Sequence, residues 1–166
     1  MTNMDVAGHA LLEGDASRYF KLDWIKDGRV AGEAFDLRQG EHPETYVSHF
    51  LVEGDGALAK YRSAYEIIHK RMRGGASGKL RPLNGGISLL SIEQVLEEVN
   101  FDSPLVQYRG EGLPHCGLYY LTENARDRNE AKATLCYMAG QNMMSAPALV
   151  GEQLLVRMLV AEGEGA

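Results

Sequence analysis

What the chain has little of narrows the choices first. Cys116 and Cys136 are its only cysteines, too few for a disulfide-stapled scaffold, so free thiols in a reducing compartment are expected. No apolar run approaches the roughly 20 residues that a membrane-spanning helix needs. Positive charge is also short: 17 Lys and Arg stand against 23 Asp and Glu, a net charge of −6. That balance argues against nucleic acid as the main partner and fits a protein that binds another protein. The opening stretch MTNMDVAGHALLEGDAS has no basic region followed by a continuous apolar one, so it does not read as a signal peptide. The cytoplasm is the default expectation.

What is present is ordinary globular material, 45% hydrophobic and 24% charged over 166 residues, enough for one domain with a core. Residues 1–16 show little periodicity and are expected to form a flexible leader. Arg18–Ile25 and Arg29–Arg38 read as strands around Asp27-Gly28, a pair suited to a tight hairpin turn. Thr45–Val52 is rich in β-branched and aromatic residues. Leu58, Tyr61, Tyr65, Ile68 and Met72 form one apolar stripe of a helix, with Asp55 at its start and cations at its end. Gly86–Leu90 reads as a strand, and Ser91 with Gln94 as the capping box of a short helix over Ile92–Val99.

The centre of the chain is LVQYRGEGLPHCGLYYL, Leu105–Leu121. Two apolar runs flank a Gly/Pro turn, which predicts paired strands in the middle of a sheet. A helix starting at Asn124 or Asp127 carries Ala131, Leu135, Met138 and Ala139 on one face. A final helix is expected over about 146–160, apolar at Leu149, Leu154, Leu155, Met158 and Leu159, with a frayed tail over 162–166. The expected architecture is a single α+β domain over 17–161, a mainly antiparallel sheet with helices packed on one face.

No constellation announces a reaction. Arg73 to Leu80 superficially follows a phosphate-binding loop, but Arg73 stands where the first glycine belongs and Leu80 where a magnesium-binding hydroxyl belongs. His69, Lys70, Arg71, Arg73, Lys79 and Arg81 nevertheless concentrate basic groups in an acidic chain. They read either as cations closing a helix dipole or as a docking patch. Lys70, Arg71, Arg73, Lys79 and Arg81 are the candidate binding residues. Glu93, Glu97 and Glu98 read as a solvated helix face.

The cysteines and histidines lack zinc-ligand spacing, so no metal is expected. His115 and Cys116, adjacent in a strand, point to opposite faces and cannot form a catalytic pair. A thiol nucleophile would need Cys116 with a distant histidine such as His49, and Cys116 reads more simply as a core residue.

Two resemblances attach to these segments. Tyr108-Arg109-Gly110 at a strand end, followed by Gly117-Leu118-Tyr119-Tyr120-Leu121-Thr122 before an alanine-bearing helix, loosely resembles parts of ADP-ribosyltransferase-type folds. That resemblance implies a small enzyme with an NAD pocket around Arg109, His115 and Tyr119; the later strand and catalytic glutamate of such enzymes have no counterpart after Tyr119.

Arg18-Tyr19, Trp24, Gly28-Arg29, Ala34-Phe35 and Leu37-Arg38, with His115, Gly117, Leu118, Tyr119 and Leu121, resemble a group of small bacterial proteins that carries no activity over. The leading expectation is a non-enzymatic macromolecule-binding domain of a bacterium or phage, in a defence or toxin-neutralising setting. It would work with another protein and without a cofactor or membrane. The alternatives are the small enzyme just named and a structural subunit that self-associates through the final helix.

Overall fold

The computed structural model describes residues 8–71 and 82–150. Among these residues seven strands form one sheet in the order β1 (Ala10–Leu11), β7 (Val106–Gly110), β8 (His115–Tyr120), β5 (Val47–Val52), β2 (Asp15–Phe20), β6 (Gly86–Ser91) and β9 (Met143–Ser145). Every pairing is antiparallel. Among the described residues three helices, α1 (Ala57–Arg71), α2 (Ile92–Val99) and α3 (Ala125–Gln141), complete an α+β fold.

Strand alternation sorts the side chains into two cores. On one face Ala16, Phe20, Val47, Leu90, Val106, Tyr108, Cys116 and Leu118 pack with α2 and α3 through Val95, Val99, Ala131, Leu135 and Met138. On the other, Val52 and Ile87 meet Tyr61, Ala64, Tyr65 and Ile68 of α1. The helical layer expected on one face is thus α2 and α3, while α1 takes the opposite face. Each large apolar side chain buried this way contributes about 1.5–3 kcal/mol.

Local chemistry sets the element ends. Ser91 accepts from the Gln94 amide at 3.3 Å, and Asn124 accepts from Arg126 and Asp127 amides at 2.9 and 3.1 Å, capping α2 and α3. Asp27 and Gly28 both take positive φ, 53° and 73°, and turn the two-residue strands β3 (Ile25–Lys26) and β4 (Arg29–Val30) as a hairpin. Lys60 donates to the Gly56 carbonyl, so α1 opens after Gly56 and Asp55 lies outside its first turn.

Several expectations change. The first sixteen residues are not all leader: Leu11 and Ala16 are core residues, and β1 and β2 enter the sheet before Ser17. The expected second strand at Arg29–Arg38 shortens to β4, because Gly32–Phe35 turns as a 3-10 segment that buries Ala34 and Phe35. Leu58 leaves the α1 stripe at 48% exposure. Of the expected final helix, Pro147–Leu149 forms a 3-10 turn, and residues 151–160 lie outside the described residues, as do the tail, Met72, Arg73, Lys79 and Arg81.

Candidate functional site

α1 packs across β5, β2 and β6. On that same face β8 and β7 carry no helix among the described residues, and there the side chains form a continuous ladder. Phe50 of β5 stacks on His115 of β8 at 5.2 Å between centroids. His115 meets Tyr46 at 5.6 Å, and Tyr46 meets Tyr119 at 5.2 Å. An arginine closes each end, with the Arg71 guanidinium 4.9 Å from the Phe50 ring and Arg109 4.7 Å from the Tyr119 ring. The rings are half-buried and Arg71 is exposed.

Register builds this ladder. His115, Gly117 and Tyr119 alternate onto one face of β8, and Ser48 lies opposite Gly117. Tyr46, just before β5, lays its ring over Gly117, where a β-carbon would come within 2.6 Å of that ring. The missing side chain lets Tyr46 sit between His115 and Tyr119, covering a glycine that would otherwise weaken the strand.

Polar contacts fix the rungs. Ser48 Oγ and His115 Nε2 share a hydrogen bond of 2.8 Å. The Tyr119 hydroxyl donates to the Glu111 carboxylate. Arg109 donates through Nε and Nη2 to Gln107 Oε1, at 3.2 and 3.0 Å. Glu111 thus takes the tyrosine, and Arg109 is held by Gln107. Burial, then Arg71, lowers the His115 pKa, which favours neutral imidazole at pH 7. Burial, then the Glu111 hydrogen bond, raises that of Tyr119.

The candidate residues fall into three groups. Arg109, His115 and Tyr119 do share one face, with Tyr46 between the last two. Ser48 and His115 have the spacing of a nucleophile and its base, but among the described residues no carboxylate lies within 4.0 Å of the imidazole to orient it.

Of the basic run, Arg71 joins the ladder and Lys70 is exposed beside it. His69 instead turns inward, buried and stacked on Tyr65 at 5.5 Å, so it is not part of a basic surface.

The third group is inert. His49 and Cys116 are cross-strand neighbours, but both are fully buried. Desolvation pushes His49 down to about 3 and Cys116 up to about 12, so both stay neutral at pH 7 and no thiolate–imidazolium pair forms.

Among the described residues no cluster of three or more His, Cys, Asp or Glu could hold a metal, and no helix is long and apolar enough to cross a membrane. Glu93, Glu97 and Glu98 are exposed on α2. Tyr46, Ser48 and Phe50 carried no functional signal in the sequence beyond β propensity. Comparison with protein-family models, curated proteins and solved structures finds no match, so the site is read from its own geometry.

Proposed function

We propose that this protein is a binding domain that takes a protein partner on the face of β8 and β7 left open beside α1. The carrying observation is the ladder Arg71–Phe50–His115–Tyr46–Tyr119–Arg109, in which aromatic rings are pre-ordered by one stacked and two tilted ring contacts and flanked by guanidinium groups. Tyrosine and arginine dominate the energetics of protein interfaces because they bring large area and directed hydrogen bonds at low entropic cost. Rings already held against each other lose little freedom on association. The two arginines suit a partner surface with carboxylates at the borders of an apolar centre. Stacked rings with cations also suit single-stranded nucleic acid; the Glu111 carboxylate within the ladder and the net charge of −6 oppose phosphates.

The test is native mass spectrometry of protein recovered from its host lysate, wild type beside Tyr46→Ala with Arg109→Glu. A polypeptide held by the wild type and lost from the folded double variant supports the reading. A polypeptide retained equally by both, or a nuclease-sensitive increment, overturns it.

A second reading follows from the shared face of Arg109, His115 and Tyr119 and the Ser48–His115 hydrogen bond. It is a small enzyme with an NAD pocket at that face. Calorimetry against NAD tests it directly: no heat at millimolar concentration removes it, and heat lost in Arg109→Ala supports it.

A further inference from the structure

β2 and β5 pair only at Asp15↔Val52, Ala16↔Leu51 and Ser17↔Phe50. Beyond that point β2 continues with β6 as far as Phe20, while β5 continues with β8 back to Val47. The sheet therefore forks, and a cleft of about 640 Å³ opens at the fork. This is the size of a small-molecule site.

Arg18 plugs the fork. Its Nε and Nη2 donate to the Ala34 carbonyl at 3.2 and 2.7 Å, and Nη1 donates to the Ser48 carbonyl at 2.8 Å. A guanidinium has five N–H groups, so one on Nη1 and one on Nη2 remain. The head sits about 5.5–5.9 Å from the Phe20, Trp24 and Phe35 rings and is deep enough that desolvation pulls its pKa down to about 10. The residue as a whole still keeps some exposed surface and lines the cleft. No described carboxylate lies within 4.0 Å of it. A deep cation without an ion pair is costly, and an anion entering from the cleft would offset that cost.

The other charges lining the cleft decide which anion. Glu44 is bound to Arg38 at 3.0 Å, and Asp36 to Lys132. Lys21 lies over the Trp24 ring and Arg71 over the Phe50 ring, neither within 4.0 Å of a carboxylate among the described residues, and Glu33 also lines the cleft. The surplus is positive but small, and three acids stand close enough to repel a dianion.

Tyr19, Trp24 and Phe50 supply flat walls. We propose that the cleft at the β2–β5 fork is a binding site for a small aromatic carboxylate, its two oxygens on Arg18 and its ring against Trp24. Two adjacent N–H donors match the two oxygens of a carboxylate in bidentate geometry.

Trp24 is the only tryptophan of the chain, so its indole N–H reports on this site alone. The experiment is titration of the ¹⁵N-labelled protein with benzoate and nicotinate, beside benzamide, nicotinamide and inorganic phosphate, following the Trp24 indole and Arg18 Nε–H signals. The expected result is saturable shifts of both signals with the carboxylates and at least about tenfold weaker response to the neutral amides. Arg18→Gln should abolish the carboxylate response. If that variant does not fold, Lys21→Ala, at the cleft rim, should weaken binding a few-fold with the fold unchanged. Arg109→Glu, remote from the cleft, should leave it intact. No saturable shift with either carboxylate, equal response to the amides, or tighter binding of phosphate overturns the proposal.

Discussion

Replacing Gly117 by alanine tests the ladder at its least replaceable point. The added β-carbon would lie 2.6 Å from two atoms of the Tyr46 ring and 3.0 Å from the Tyr46 β-carbon. These atoms are near the root of the side chain, so Tyr46 cannot yield by moving its tip; it must change rotamer and leave its place between His115 and Tyr119. Overpacking of this kind costs about 1–3 kcal/mol, and each aromatic pair lost is worth about 0.5–1.5 kcal/mol. Alanine returns about 0.5–1 kcal/mol over glycine in a strand. The expected net loss is about 2 kcal/mol, a fall in Tm of roughly 4–8 °C for a domain of this size.

Urea unfolding and thermal melting measure the loss, and the His115 ring proton shifts report whether Tyr46 has moved. Gly32→Ala serves as the control, since nothing lies within 4 Å of its added atom. A Gly117→Ala protein as stable as wild type with unchanged His115 shifts would refute the argument. So would partner binding that survives the loss of the ladder.

Three further predictions address other parts of the molecule. His49 is buried neutral with its pKa depressed to about 3. The unfolded chain therefore takes up a proton near pH 6.5 that the folded one refuses. The stability this residue contributes is present above pH 6.5 and lost at about 1.4 kcal/mol per unit as pH falls toward 3; unfolding free energies at pH 7 and 4.5 should show a steeper loss in wild type than in His49→Gln, and parallel slopes would contradict it. Asn100 accepts from the Leu105 and Val106 amides at 2.9 and 3.0 Å and donates to the Val106 carbonyl at 2.9 Å, so Asn100→Ala should cost about 2–3 kcal/mol in chemical denaturation. With both thiol pKa values raised by burial, to about 12 for Cys116 and about 11 for half-buried Cys136, iodoacetamide at pH 8 should label the folded protein slowly. Cys136 should react first, and Cys116 only on unfolding.

How far the chain could be read follows from the range of each signal. The capping residues Ser91 and Asn124, the buried face of α3, and the Asp27-Gly28 hairpin are encoded within a few residues, and each was legible. β9 was not, because Met143–Ser145 is three residues long and pairs only through β6; so short a strand has no period to detect. The turn at Gly32–Phe35 was misread as strand for a related reason. Its Ala34 and Phe35 look β-compatible, and only the Arg18 hydrogen bonds to the Ala34 carbonyl and the packing of Phe35 on Phe20 select the turn.

The sequence by itself determined the class: an acidic α+β chain with a strand pair at Leu105–Leu121, which lies toward one side of the sheet rather than in its middle, a capped short helix and cores marked by apolar period. Those properties depend on neighbours along the chain. Tertiary structure alone decided what the site is. Ser48 and His115, 67 positions apart, meet because β5 and β8 pair in one register, and a shift of one residue would send His115 and Tyr119 to the other face. The same pairing lays Tyr46 over Gly117, buries His49 against Cys116, and parts β5 from β2 so that Arg18 fills the fork. Contacts between distant strands are set by register and packing, and no local pattern of residues carries them.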